Sequence, residues 1–278
     1  MTTKPDQDSP GKLPVFQSPG IILRRVDYMD YDLIIDFLTR EKGKVTAIAK
    51  NAKKSKKRFA GILELFARLD AVFVDPRQAA GLTLLKEANL ADPFIHVRLN
   101  MEKTAYAGYW CEMINRWVES GGKQAGLFEL LDFVLTALDR GTIHREVLSI
   151  LFQTRFLDLA GMTPCLNHCR HCRCTLESMP GSDLIFDIAG GGIVCKNCHQ
   201  KIRTGTYAAV VSKGTVKQVA WLMGSDLSKA ERIYFSEKSR NQAMDALERF
   251  VAFHLTAEIK SLKVLRRVRR SRKGNEKQ

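Results

Sequence analysis

Six of the seven cysteines in this chain fall between Cys165 and Cys198, and that cluster constrains the fold more than any other stretch. Cys169-Arg-His-Cys172 and Cys195-Lys-Asn-Cys198 are two C-x-x-C pairs separated by a loop. Each pair closes a tight knuckle whose two sulfurs point at one ion, so two knuckles together supply the four tetrahedral thiolates that structural zinc prefers. Three disulfides are the competing reading. The length of the chain, the lack of a secretory leader and an odd seventh cysteine at Cys111 argue against it.

Spacing also selects among the six. Cys165 and Cys174 have no C-x-x-C partner that leaves both knuckles intact, which assigns Cys169, Cys172, Cys195 and Cys198 as ligands. His168, His171 and His199 could substitute, although polar residues on an exposed knuckle are the simpler reading. Gly190, Gly191 and Gly192 stand before the second knuckle, where a hairpin must turn sharply. Four thiolates leave no open coordination position, so the expected single zinc ion is structural and contributes folding free energy to a loop-rich module.

Charge is the second constraint. The chain carries 44 basic and 30 acidic residues, a formal net charge of +14. Residues 50–58 hold six basic side chains and residues 260–273 hold eight, with no acidic residue in either run. The remaining 30 basic residues balance the 30 acidic ones, so all the excess sits in two short segments. Concentrated cationic runs of this kind suit a polyanion, nucleic acid first and an anionic membrane surface second. Solvated faces or flexible tails are the plainer alternative. The 45% hydrophobic content suits a globular protein, and no run of 18 or more apolar residues suggests a membrane span. A soluble, intracellular protein is expected.

Residues 1–12 have little apolar content and read as a disordered leader. From there to residue 92, short β-branched runs divided by turn signals predict five strands, at about 15–26, 31–39, 44–50, 64–75 and 82–90. Such a set fits a small barrel, either an OB-fold or an SH3-like one. Beyond Pro93 the apolar period becomes helical, predicting helices at about 94–119, 125–139 and 143–160, then 206–223 and 238–268. The cysteine module interrupts them between residues 163 and 203, with Asp183–Ile188 alternating as a strand. Residues 260–278 form a basic extension that could be helical or frayed. Tyr106, Tyr109, Trp110, Met113 and Trp117 make an aromatic stripe read as core, with a partner groove beside Arg98, Lys103 and Arg116 as the alternative.

No catalytic constellation stands out. The chain has no P-loop, G-x-S-x-G, HExxH or dinucleotide fingerprint. His96, His144 and His254 are isolated and read as scaffold, Cys111 as a small buried hydrophobe. A non-enzymatic protein is expected. The rivals are a zinc-dependent nucleic-acid-modifying enzyme, which needs an open coordination position, and a zinc-ribbon adaptor of transcription or translation.

The order of parts resembles the bacterial RecO family of recombination mediators. The resemblance is carried by Gly20-Ile-Ile-Leu-Arg-Arg-Val26 with Tyr31-Asp32, the turn Thr39–Lys44, the basic loop closing at Lys57-Arg-Phe59, and the later Cys-x-x-Cys followed by Gly-Gly-x-x-Cys-x-x-Cys. It spans about residues 13–255. It implies an α+β chain: an N-terminal five-stranded OB-fold barrel over 13–92, then an α-helical domain over 93–259 with an inserted four-cysteine zinc module. It further implies a bacterial cytoplasmic, nucleoid-associated protein of RecF-pathway repair. Such a protein binds and anneals single- and double-stranded DNA, contacts RecR and the acidic tail of single-strand-binding protein, and helps load RecA. The family's zinc ligands fall on Cys169, Cys172, Cys195 and Cys198, and its basic loop on residues 50–58. Phosphates are then expected on Lys50, Lys53, Lys54, Lys56, Lys57 and Arg58, with Arg24, Arg25 and Lys44 extending the track.

Overall fold

The computed structural model describes residues 13–76, 81–201, 207–255 and 258–275; the expected leader lies outside them. The chain forms two compact units. One runs to Pro93 and includes Ser120–Gln124, and the other comprises Phe94–Glu119 and the chain from Ala125 onward. Among the described residues, no helix is long and apolar enough to cross a membrane.

The first unit is a closed barrel of β1 (Val15–Tyr28), β2 (Asp32–Thr39), β3 (Gly43–Ala49), β4 (Arg68–Val74) and β5 (Thr83–Asp92), in the order β1-β2-β3-β5-β4. The five expected strands are present and close as an OB-fold. Strict alternation drives it: Val45, Ala47 and Ala49 of β3 point inward, as do Leu69, Ala71 and Phe73 of β4. β1 is long enough to serve two neighbours, pairing with β4 from Val15 to Ile21 and with β2 from Gly20 to Tyr28. A register shift between Ile22 and Arg24 bends it around the barrel. Phe73 anchors the interior, stacked on Phe16 at 4.9 Å and edge-on to Phe37 at 5.3 Å.

The fourth strand begins at Arg68 rather than near residue 64. Phe66 adopts a left-handed φ of 72°, and its N–H donates to Ile22 O at 3.0 Å. This sharp turn consumes residues that hydrophobicity alone assigns to the strand. Ser120–Gln124 return to the barrel, Ser120 bridging Gly43 and Lys44. Gly43 has φ +63°, and a Cβ there would lie 2.3 Å from Gly122 O, so no other residue fits.

The second unit opens with α1 (Ile95–Arg98) and α2 (Met101–Trp117), followed by α3 (Ala125–Arg140) and α4 (Arg145–Leu159). Asn100 splits the long first helix expected from periodicity, because its side chain caps α2 by accepting from Glu102 N and Lys103 N. The aromatic stripe is core: Tyr106, Tyr109, Trp110 and Met113 are fully buried. Tyr109 Oη donates to Gln153 Oε1 at 3.0 Å, and Trp110 stacks on Phe152 at 5.5 Å. Trp117, at its end, stays partly exposed.

In the cysteine module, β6 (Asp183–Asp187) and β7 (Gly192–Val194) form the expected hairpin, leading into α5 (Lys196–Lys201). The helix expected from about residue 206 is instead β8 (Ala208–Ser212) followed by α6 (Lys213–Gly224). Ala209 and Val211 alternate inward while β8 pairs with β6, and Ser212 then caps α6 by accepting from Thr215 N. The helix expected over 238–268 is two, α7 (Glu237–His254) and α8 (Lys260–Asn275).

Thus the basic extension contains a helix. Glu112 of α2 accepts from Lys260 N and Ser261 N, at 3.2 and 2.7 Å, and so caps α8 from a distance. Ile259, just before α8, and Leu262 and Leu265 within it are buried. Its arginines are largely consumed within the unit. Arg266 and Arg269 both bind buried Glu248, Arg272 reaches Glu102 and Glu146, and Arg240 of α7 pairs with Glu146 at 2.9 Å. Lys263 pairs with Glu258. Replacing Glu248 with Gln leaves Arg269, itself mostly buried, without its counter-charge. Unfolding free energy should fall by about 3 kcal/mol, read as a lower urea midpoint; an unchanged midpoint would contradict the burial of this pair.

Candidate metal centre and nucleic-acid interface

The Sγ atoms of Cys169, Cys172, Cys195 and Cys198 all lie within 4.8 Å of one another. Cys172 and Cys195 Sγ are 3.7 Å apart, matching the roughly 3.8 Å edge of a tetrahedron with metal–sulfur bonds of about 2.3 Å. None of the seven cysteines is in a disulfide. Local structure brings the sulfurs together. Cys165 N donates to Gly191 O and Ile193 N to Cys165 O, each at 2.9 Å, pressing the first knuckle onto the hairpin. Gly192 is required there, since a Cβ would meet Cys165 O at 2.5 Å.

The electrostatics suit a cation. Burial pushes the Cys169 thiol up, but the backbone amides of Cys172, Cys195 and His171 outweigh it and bring it below the ordinary value. The Cys172 thiol is brought down to about 6, first by the backbone amide of Cys174. Cys198 is pushed up to about 12 by burial and then by hydrogen bonds with the neighbouring thiols. Four adjacent sulfurs cannot all ionise side by side; a divalent cation removes that penalty. The donor set therefore fits a metal ion.

Cys165 and Cys174 lie outside the four. Cys165 Sγ contacts His168 Nε2 at 3.4 Å, and that nitrogen also meets the Arg173 guanidinium at 2.7 Å, so His168 is turned toward these partners. Cys174 Sγ is 3.3 Å from Cys172 Sγ. The isolated histidines are scaffold: His96 faces Asp139 at 3.1 Å, His144 caps α4, and His254 meets Ile188 O at 3.2 Å. Cys111 is buried, and burial pushes its thiol far above the ordinary range.

The barrel carries the first basic run. Between β3 and β4, Ala52–Lys54 form a 3-10 turn, and Ser55 Oγ accepts from Arg58 N and Phe59 N at 3.1 and 3.0 Å. Buried Ala52 and Phe59 pin both ends into the barrel core. Lys50, Lys53, Lys54, Lys56, Lys57 and Arg58 are all exposed. Lys53 pairs with Asp27 at 3.1 Å, Lys54 Nζ sits 3.3 Å over the Tyr31 ring, and Arg58 donates to Lys50 O at 2.6 Å. Among the described residues, Lys50, Lys56 and Lys57 face no carboxylate. The expected extensions of this track are more engaged: Arg24 pairs with Asp36 at 3.4 Å, Arg25 with Glu64 at 2.8 Å, and Lys44 is half-buried. Sequence reasoning used Tyr31 for the family resemblance and not for the interface, although an aromatic in the turn after β1 is the signal that could have placed it there.

Comparison with known proteins accords with this geometry. Residues 14–94 match the family described as Recombination protein O N terminal, and residues 98–263 match Recombination protein O C terminal. The DNA repair protein RecO of Desulfosudis oleivorans is 53% identical over 258 residues, covering 92% of this chain and 99% of its own length. That of Desulfatibacillum aliphaticivorans is 42% identical, with 93% and 99% covered, and that of Syntrophus aciditrophicus 33%, with 91% and 96%. The chain belongs to the RecO family.

For this RecO-family chain, the OB-fold barrel and the thiolate cluster are both in place, and the two additional cysteines fall beside the cluster. Titration with Co²⁺ should give one equivalent and the visible bands of a tetrahedral thiolate site. Cys174→Ser should retain these and Cys195→Ser should lose them; the reverse pattern would reassign the ligands.

Proposed function

We propose that the chain is a DNA-binding recombination mediator and strand-annealing protein of the RecF repair pathway. In this reading it works with RecR and with the acidic tail of single-strand-binding protein to load RecA, in the bacterial cytoplasm at the nucleoid. Membership of a DNA-repair family supports this, and the observation that carries it is the exposed six-cation loop pinned to a closed barrel. Zinc is the proposed ion at Cys169, Cys172, Cys195 and Cys198. It holds the module together and takes no part in chemistry, because four thiolates leave no open coordination position.

Lys50, Lys53, Lys54, Lys56, Lys57 and Arg58 contact backbone phosphates, which positions a strand without reading its sequence. The Lys53–Asp27 pair does not oppose this. An exposed ion pair contributes about 0–1 kcal/mol, and exchanging Asp27 for a phosphate keeps a charge-assisted contact. Arg24, Arg25 and Lys44 extend the track at lower gain, because Arg24 and Arg25 must leave carboxylates and Lys44 is half-buried. Annealing follows from the same surface, since cations screen the repulsion between two strands and base pairing drives the product.

Fluorescence anisotropy across a salt series tests this with a labelled single strand. Neutralising six phosphates gives a log–log slope of about −4. The double variant Lys56→Glu, Lys57→Glu should make it shallower by about 1.4 and slow annealing of naked complementary oligonucleotides. An unchanged slope and annealing rate would remove the loop from the interface.

A further inference from the structure

We propose that Tyr31 is a base-stacking platform for single-stranded DNA, held ready by Lys54. The inference rests on the reading that the 50–58 loop binds DNA. Tyr31 lies in the turn between β1 and β2 and remains 40% exposed although its backbone is fixed in place. Lys53 N donates to Tyr31 O at 3.0 Å, and Asn51 N to Asp32 Oδ1 at 2.7 Å, so the turn is zipped to the base of the loop. Met29 makes the turn possible with a left-handed φ of 49°. An exposed aromatic fastened against a cationic loop has the two elements that single-strand sites combine, a π-face for a base and cations for its flanking phosphates.

Lys54 supplies the readiness. Its ammonium sits 3.3 Å above the Tyr31 ring and so covers one face before DNA arrives. A cation–π contact at an exposed site is worth about 0.5–1 kcal/mol. A base stacked on an aromatic ring contributes about 1–3 kcal/mol, and the released ammonium gains a charge-assisted bond to phosphate. A strand therefore displaces Lys54 from the ring and re-engages it on the backbone. A duplex cannot make the same exchange, because its bases are already stacked and paired. Tyr31 thus gives the cationic loop a preference for single strands that charge alone does not supply.

The test compares an oligothymidylate with an abasic deoxyribose-phosphate chain of equal length, using the full chain. Tyr31→Ala should weaken the oligothymidylate by about tenfold and leave the abasic chain unchanged, with the salt slope preserved. Tyr31→Leu, which keeps apolar bulk in the turn, should behave like Tyr31→Ala. Tyr31→Trp should retain affinity, and its fluorescence should be quenched by the oligothymidylate alone. Equal losses on both ligands, or none on either, would refute stacking. If Lys56→Glu, Lys57→Glu still weakens both ligands in that case, the loop reading survives. If that variant binds both as the parent does, the loop reading falls too.

Discussion

Two buried carboxylates, Glu146 and Glu248, decide where the positive charge of this chain ends up. A net charge of +14 repels itself unless it is neutralised or left to solvent. Glu248 gathers Arg266 and Arg269, Glu146 gathers Arg240, and Arg272 closes the network to Glu102. These carboxylates are costly to bury, and the arginines in turn make their burial tolerable. Three of the five arginines in the C-terminal run, which has the larger charge in sequence, are therefore spent on holding α8 in its own unit. In the shorter run on the barrel, only Lys53 among the described residues pairs with a carboxylate.

That shorter run is unlike a flexible tail. Phe59 and Ala52 are buried in the barrel core and Ser55 closes the turn between them. Fixing the backbone in advance lowers the ordering cost of each phosphate contact, so a few cations achieve more than they would on a mobile segment. The thiolate cluster has the same logic at larger scale. Its four sulfurs converge to within 4.8 Å of one another, a donor set that fits a metal ion.

Much of this was legible from residues alone. The C-x-x-C spacing named the four sulfurs that converge, and short β-branched runs divided by turn signals found all five barrel strands to within a few residues. Misreadings have local causes. Phe66 takes a left-handed turn that hydrophobicity cannot report, and Ala208–Ser212 is too short to show a period before α6 begins. The fate of α8 was hidden for another reason. The counter-charges of its arginines lie on α2, α4 and α7, outside the run itself, so eight cations with no acid among them looked free when several were already committed. The ring of Tyr31 under Lys54 was likewise invisible until the turn and the loop were brought together.

The central claim is that the barrel loop, and not the C-terminal helix, presents charge to DNA. Single-strand affinity at one fixed salt concentration tests it directly in two triple variants. One carries Lys50→Gln, Lys56→Gln and Lys57→Gln, and the other Lys260→Gln, Arg267→Gln and Arg270→Gln. Each removes three exposed cations. The loop variant should bind at least about tenfold more weakly, and the helix variant within about twofold of the parent. A helix variant that loses as much as the loop variant, or more, would contradict the account.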